Sequence, residues 1–497
     1  MTPASRLSLL LGPSALLALT LLLGRLSGLV RETIIASTLG ISAQGDTAVV
    51  LMTLPDLMVN LLVAGGLSAA FVPLLLKLPA DEADVLTRFV AGVTLFIFTI
   101  FAIAIFAKPG IMVGILAPGR TDLDALLTGW LPLFMAAALP VAALSGVAGG
   151  YANAQGNFFI SGIGTLIFNI TLITVLLLAF NQPPLQALAL GIFLGAILRG
   201  LPLFLHIPAR LFRLSSLVPL NWKSFLIDFG AGLLAVGSAL LAPVILRAAA
   251  SWLDGGSVAA LNYAQKLVEL PVGVILSAVS VVSLTAMSKA HAKGGAQPAS
   301  LVAVEHIRAA VMLGCIAMVG SIGFAKPVTE IVFGYGKMGD EDISLIADLF
   351  AYGSLSIPFA AVSLLGTNYL YAIGHAKAVF RLTAGALLTL APVICIALET
   401  RSLTHLMLGF TLYQIILAII VLLRSGLPIT RVSSLGSQPL IDRRIIVQTI
   451  AAALPLIAAT IVHVSLISPS PFLSLGLACM GFLLSLVIIT HFQKRCS

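Results

Sequence analysis

Charge is scarce in this 497-residue chain: Asp, Glu, Lys and Arg together make up 9% of it. A soluble domain carries about 25% charged residues, so this sequence cannot cover a water-facing surface. Hydrophobic residues reach 59% and the mean hydropathy is +1.12, which makes lipid the main solvent. A soluble enzyme, a nucleic-acid binder and a disordered chain are thereby excluded. Cysteine is nearly as scarce. Cys315, Cys395, Cys479 and Cys496 show no CxxC or His-paired spacing, so neither a disulfide framework nor a metal site is expected. The seven histidines lie in or beside loops without an HExxH pattern, and GxxxxGK[ST] is absent. No cofactor and no ATP-driven motor are therefore expected within the chain, and the sequence names no coupling ion.

Long apolar runs are what the chain has instead. Bounded by Gly, Pro and charge, they fall at 13–38, 47–76, 89–107, 128–152, 158–180, 185–205, 224–248, 257–288, 307–325, 344–372, 378–398, 404–423, 445–465 and 472–491. A membrane helix needs about 20 apolar residues, and the runs are continuous rather than alternating, which argues against a β-barrel. The expected fold is an all-α polytopic membrane protein with 14 transmembrane helices. Arg6 before the apolar run from Leu9 resembles a secretory leader. No small-residue cleavage site follows it, so the run reads as an uncleaved first span. With the N-terminus inside, eighteen Lys and Arg fall in cytoplasmic segments, against Lys108, Arg120, Arg247, Lys326, Lys337 and Arg401 outside. This asymmetry sets topology and accounts for the net charge of +8 without a nucleic-acid partner.

The sequence repeats internally. Leu54–Pro55 returns as Leu270–Pro271 at an offset of 216, and PVAALSGVAGGYANAQG from Pro140 resembles PFAAVSLLGTNYLYAIG from Pro358 at 218. A six-helix unit holds an even number of spans, so both copies point the same way, as in transporters with parallel repeats and a central site. The expected organisation is an N-lobe over 1–215, a C-lobe over 216–424, and a basic linker with two further helices over 425–497. For those last two helices a lipid-facing groove is expected, with Ala452 and Leu456 on its face.

Ionisable groups inside spans are costly and mark function by default. Arg25 and Arg31 lie about 18 Å and 27 Å along the first helix from Pro13, and Lys266 about 14 Å along the eighth. Asp46 sits near the outer mouth of the second span. Bland readings stand beside these. Lys266 and Glu269, at i and i+3, neutralise each other in one reading, and Arg31 snorkels outward in another. Under the repeat Lys266 corresponds to Val50 and Asp46 to Asn262. A charge present in one copy alone is not required by the shared scaffold, which favours a binding role. Guanidinium and ammonium groups suit an anionic ligand.

GRLSGLVRETIIASTLG (Gly24–Gly40), GDTAVVLMTLPDLMVNLLVAGGLSAAFVPLL (Gly45–Leu75), LAPG at Leu116–Gly119, NYAQKLVELPVGVI at Asn262–Ile275 and VFGYGKM at Val332–Met338 resemble the MurJ/MviN family of lipid II flippases. That family belongs to the multidrug/oligosaccharidyl-lipid/polysaccharide exporter superfamily. The resemblance implies a bacterial inner-membrane protein with cytoplasmic termini that moves lipid II, the lipid-linked peptidoglycan precursor, to the outer leaflet by alternating access. It implies a transporter, not an enzyme, with membrane lipids and the cell-wall synthesis machinery as partners. Arg25, Arg31 and Asp46 resemble the family's cavity charges, and Lys266 stands where the family usually has arginine. The chain departs from the pattern at Val59 and Asn60, where arginine is usual, and at Ala64, where glutamate is. Two alternatives remain from the residues themselves: a flippase for another undecaprenyl-linked saccharide, and a drug or cation antiporter of the same superfamily.

Overall fold

The computed structural model describes residues 13–60, 67, 71–179, 181–206, 222–427, 443–465 and 470–494. Among them every regular element is helical, as a lipid environment demands: backbone N–H and C=O groups have no water to turn to and must pair within their own segment. The first unit, Met1–Ala259, contains α1 (Pro13–Leu39), α2 (Ala43–Asn60), the single turn α3 (Val72–Leu75) and α4 (Ala80–Ala107). The short α5 (Gly110–Leu116) and a 3-10 turn, Thr121–Leu126, follow. Then come α6 (Leu131–Ala154), α7 (Phe158–Leu178), α8 (Pro184–His206) and α9 (Trp222–Ala250). Helix α8 packs on α6 and α7, α4 on α6, and α1 on α7.

The second unit, Ala260–Ser497, takes most of α10 (Ser257–Gly294), then α11 (Ala296–Gly323), α12 (Ala325–Phe333), α13 (Asp340–Ser354) and α14 (Ile357–Ala372). It continues with α15 (Ala376–Leu387), α16 (Leu390–Glu399), α17 (Leu403–Ser425), α18 (Arg443–Ser465) and α19 (Pro471–Lys494). Helix α14 packs on α11 and α17, and α18 on α11 and α19.

Each of the fourteen apolar runs contains a helix or a pair of consecutive helices, with 61–66 and 68–70 of the second run outside the described residues. Eight described helices are long and apolar enough to cross a membrane, or nine if a bent pair counts as one. That pair is α13 and α14, bent by 46°, where one straight span over 344–372 is expected from the sequence. Pro358 has no N–H, so the chain closes the break with tight turns, Leu355 N to Tyr352 O and Ser356 N to Gly353 O, and restarts the helix at Ile357. Pro140, its repeat mate, stays inside the continuous α6. The expected lobe boundary near 215 lies outside the described residues; the break between compact units falls at Ala259/Ala260. Ala452 and Leu456 differ from expectation. They are buried with Met312, Ile316 and Phe324, so this face of α18 packs on its own unit, and Ile450, Leu454, Ile457 and Ile461 are exposed instead.

The repeat extends to the backbone. Helices α4 and α11 are both 28 residues long and start 216 residues apart, at Ala80 and Ala296. Gly40 and Gly256, also 216 apart, both adopt positive φ, 66° and 89°. At the end of α6, Gly156 (φ 76°) is followed by Asn157 N bonding Ala152 O at 2.9 Å; at the end of α14, Gly374 (φ 82°) is followed by His375 N bonding Leu370 O at 2.8 Å. A left-handed residue that lets the next N–H reach back five positions is a Schellman stop, and glycine adopts it without a Cβ penalty.

A Cβ at Gly374 would meet nothing within 4 Å, whereas one at Gly256 would collide with Ile41. Gly374→Ala is therefore expected to cost about 1 kcal/mol of left-handed strain alone. Gly256→Ala should cost distinctly more. Thermal unfolding of the purified variants in detergent checks the order, and equal losses would refute it.

Candidate functional site

The Arg31 side chain is almost wholly inside the first unit, 8% exposed. A guanidinium there needs several acceptors, and three helices supply them. Its Nη1 donates to Asn169 Oδ1 at 3.0 Å and its Nη2 to Glu32 Oε1 at 2.7 Å, with Asp56 Oδ2 3.8 Å from Nη2. Asn169 is fixed in turn, its Nδ2 donating to Gly24 O at 3.1 Å and Ser27 Oγ at 3.0 Å. Glu32 and Arg31 share α1, Asp56 follows the proline of α2, and Asn169 is the one amide side chain in the otherwise apolar α7. The snorkelling alternative for Arg31 does not match this burial. Arg25, six residues earlier on α1, is exposed.

Asp46 belongs to another cluster. It lies in the first turn of α2, where a carboxylate favours the helix dipole, and its side chain is 0% exposed. Oδ2 accepts from Arg120 Nη1 at 2.7 Å and from Gly256 N at 2.8 Å, and Oδ1 accepts from Ala259 N at 2.8 Å. Gly256 and Ala259 bracket the start of α10, so Asp46 caps that helix from outside with two of its orphan N–H groups. Arg120 also donates Nε and Nη2 to Asp122, at 2.8 and 2.7 Å. That hydrogen bonding holds the Asp122 carboxyl below the usual carboxylate range and raises the Arg120 guanidinium above its ordinary value. Gly119 N donates to Ser251 Oγ at 2.9 Å, which ties the LAPG segment to the end of α9.

Lys266, in the second unit, makes the pair that its spacing suggests: Nζ to Glu269 Oε2 at 2.9 Å along α10. Both side chains remain open, 29% and 50% exposed. Lys266 thus has a local neutralising partner and a free approach together. Of the four residues singled out from sequence, Arg31 and Asp46 sit in different clusters of the first unit, and Lys266 has its own ion pair.

Three participants escaped sequence reasoning. Arg120 looked like a loop charge, although it directly follows the LAPG motif. Asn169 is uncharged, and its only signal is its isolation in an apolar helix. Arg199 was counted among cytoplasmic charges but lies within α8 and interacts electrostatically with Asp56.

The family described as lipid II flippase MurJ matches residues 35–473. The chain belongs to that family. It is 26% identical over 389 residues to the lipid II flippase MurJ of Burkholderia cenocepacia, covering 74% of each chain. It is 26% identical over 382 residues to a probable lipid II flippase MurJ of Vibrio cholerae, covering 70% of each. Among solved structures, a lipid II flippase MurJ in an inward closed conformation superposes with a TM-score of 0.82 at 19% identity, covering 97% of this chain and 99% of the other. An inward-facing multidrug resistance transporter of the MATE family gives 0.67 at 15% identity, covering 81% and 94%. Both likenesses show the fold. The protein is thus a polytopic member of a transporter family, and family membership excludes the enzyme class.

Removing one partner of a buried ion pair costs about 3–5 kcal/mol, because it strands the other charge. Asp46→Ala is expected to lose that much stability, and Arg120→Ala somewhat less, since Asp46 keeps two backbone donors. The double variant should fall well short of the sum. Additive losses in thermal unfolding would show that Asp46 and Arg120 are not coupled.

Proposed function

We infer that this chain carries lipid II from the inner to the outer leaflet of the bacterial inner membrane, by alternating access and without ATP hydrolysis. Family membership supports the cargo, and the observation that carries the reading in this molecule is Arg31: a guanidinium held deep in a membrane helix by an amide and carboxylates. Arg25, Arg31 and Lys266 hold the pyrophosphate, Arg25 from an exposed and Lys266 from a partly exposed position. Asp46 orients Arg120 and fixes the start of α10. The termini are cytoplasmic, in accord with the Lys and Arg asymmetry. The two copies of the repeat act as lobes over 1–215 and 216–424. Helices α18 and α19 lie outside the repeat and accommodate the isoprenoid tail along their exposed apolar side. The cell-wall synthesis machinery consumes the delivered precursor. An inside-negative potential, about 2.3 kcal/mol per charge per 100 mV, favours outward movement of a net negative complex.

Depletion in the host tests the cargo. Lipid II should build up on the inner leaflet, and accumulation of a different lipid-linked saccharide would overturn the reading. In the same background Arg25→Ala should insert normally and fail to complement; full complementation would remove Arg25 from the site. Lys266→Arg should retain transport, since the fork of arginine binds phosphate at least as well. Robust transport by the double variant Lys266→Leu, Glu269→Leu would reduce Lys266 to a local ion pair.

A further inference from the structure

Arg31 holds its partners with unequal grip. Asn169 and Glu32 accept hydrogen bonds of 3.0 and 2.7 Å. Asp56 Oδ2 stands 3.8 Å from the same Nη2 that serves Glu32, beyond hydrogen-bond length. The Glu32 side chain is 5% exposed and that of Asp56 42%. Glu32 is therefore built in, and Asp56 is attracted, accessible and loosely seated. An incoming oxyanion that approaches Arg31 from the exposed side of Asp56 meets that carboxylate first.

Asp56 has a second cation within electrostatic reach. Arg199, on α8, interacts with it across the helix packing. The stem of Arg199 lies against Gly164 of α7, its Cγ only 3.1 Å from where a Cβ at that position would stand. A side chain larger than glycine there would press on the arginine stem, so the backbone of α7 leaves room for Arg199 beside the cluster.

We propose that Asp56 is an internal counter-anion that pairs with Arg31 when no cargo is bound, and that the phosphate of the cargo displaces it toward Arg199. The proposal rests on the reading of the cargo as a phosphate-bearing lipid. It solves a physical problem of such a site. Cations strong enough to grip a phosphate would be uncompensated inside the membrane whenever the site is empty. Glu32 and Asp56 set negative charge beside Arg31, and Asp56 does so for Arg199 as well. A phosphate has the advantage over Asp56 because it presents several oxygens to the guanidinium fork. The displaced carboxylate then needs a cation of its own, which makes Arg199 a positioning residue rather than a ligand of the cargo.

Calorimetric titration of the purified full-length protein in detergent with inorganic pyrophosphate tests this, after thermal unfolding has shown that each variant is folded. Asp56→Asn removes the competitor and should tighten pyrophosphate roughly two- to fivefold, the worth of a partly exposed ion pair. Should the Asn variant not fold, Asp56→Ser makes the same neutralisation. Arg199→Gln removes the resting place of the displaced carboxylate and should weaken pyrophosphate in the wild-type background. In the Asp56→Asn background it should change nothing. If Arg199→Gln weakens binding equally in both backgrounds, Arg199 contacts the anion directly and the proposal fails. It fails also if Asp56→Asn leaves affinity unchanged or lowers it, or if the wild type takes up no pyrophosphate. A vesicle assay of lipid II movement reads the other inference separately: the expected pyrophosphate cycle without lipid II movement would sink the cargo assignment and leave Asp56 in its role.

Discussion

A guanidinium in the interior of a membrane helix must be given acceptors by its neighbours, and the arrangement of α1, α2 and α7 around Arg31 follows from that requirement. Leaving a buried charge without partners costs several kcal/mol, which is comparable with the net stability of a whole domain. The neighbours of Arg31 are accordingly specialised. Asn169 bonds the guanidinium with its oxygen and anchors itself to Gly24 and Ser27 with its nitrogen, so one side chain both serves the cation and joins α7 to α1. Glu32, adjacent in sequence, brings the compensating charge on the same helix. Packing between α1 and α7 and charge compensation are thus one interaction seen from two sides.

The repeat shows which features belong to the scaffold and which to its use. Paired helix lengths, paired left-handed glycines and matching helix stops recur at offsets of 216 to 218; these are backbone properties, indifferent to cargo. Some charges recur too, Arg31 as Arg247 and Lys108 as Lys326, but others do not. Asp46 answers to Asn262, and Lys266 to Val50. The break between α13 and α14 has no counterpart at Pro140 either, although the proline itself is duplicated. A helix tolerates a proline when its lost hydrogen bond and ring can be absorbed by a kink; in α6 it does so within one helix, while before Pro358 the chain spends two residues on tight turns.

Much of this was legible in the sequence. Apolar runs in lipid leave few choices, so helix positions follow from composition and from Gly, Pro and charge at the ends. The Lys266–Glu269 pair was legible as well, because an i, i+3 contact is a local property of one helix. Long-range partners were not. Nothing in the spacing of Asp46 and Arg120, 74 residues apart, announces that they meet, since the contact depends on how α5 and the 3-10 turn after it fold back over the start of α2. Arg199 escaped for a related reason: that it meets Asp56 depends on how α8 packs beside α2, which its place in the run 185–205 does not announce. The buried face of α18 is not legible because apolar residues lie on both the packed and the exposed side of the helix, Ala452 and Leu456 on one and Ile450 and Leu454 on the other. Only the neighbours Met312, Ile316 and Phe324 decide it.

The resemblance of this fold to a multidrug transporter sharpens the role of charge, because one scaffold serves unrelated cargoes and function has to be argued from the site. A cation exporter needs carboxylates that are available to its cargo. Here the mid-helix acids already face basic groups: Glu32 and Asp56 face Arg31, and Glu269 faces Lys266. A cation entering such a site would have to compete with tethered guanidinium and ammonium groups at high effective concentration. An anion meets the opposite situation. It competes only with tethered carboxylates, of which Asp56 and Glu269 are the exposed ones, and it brings more oxygens than either. The same pairs that keep these charges tolerable inside the membrane are therefore the ones that an incoming ion of either sign has to separate.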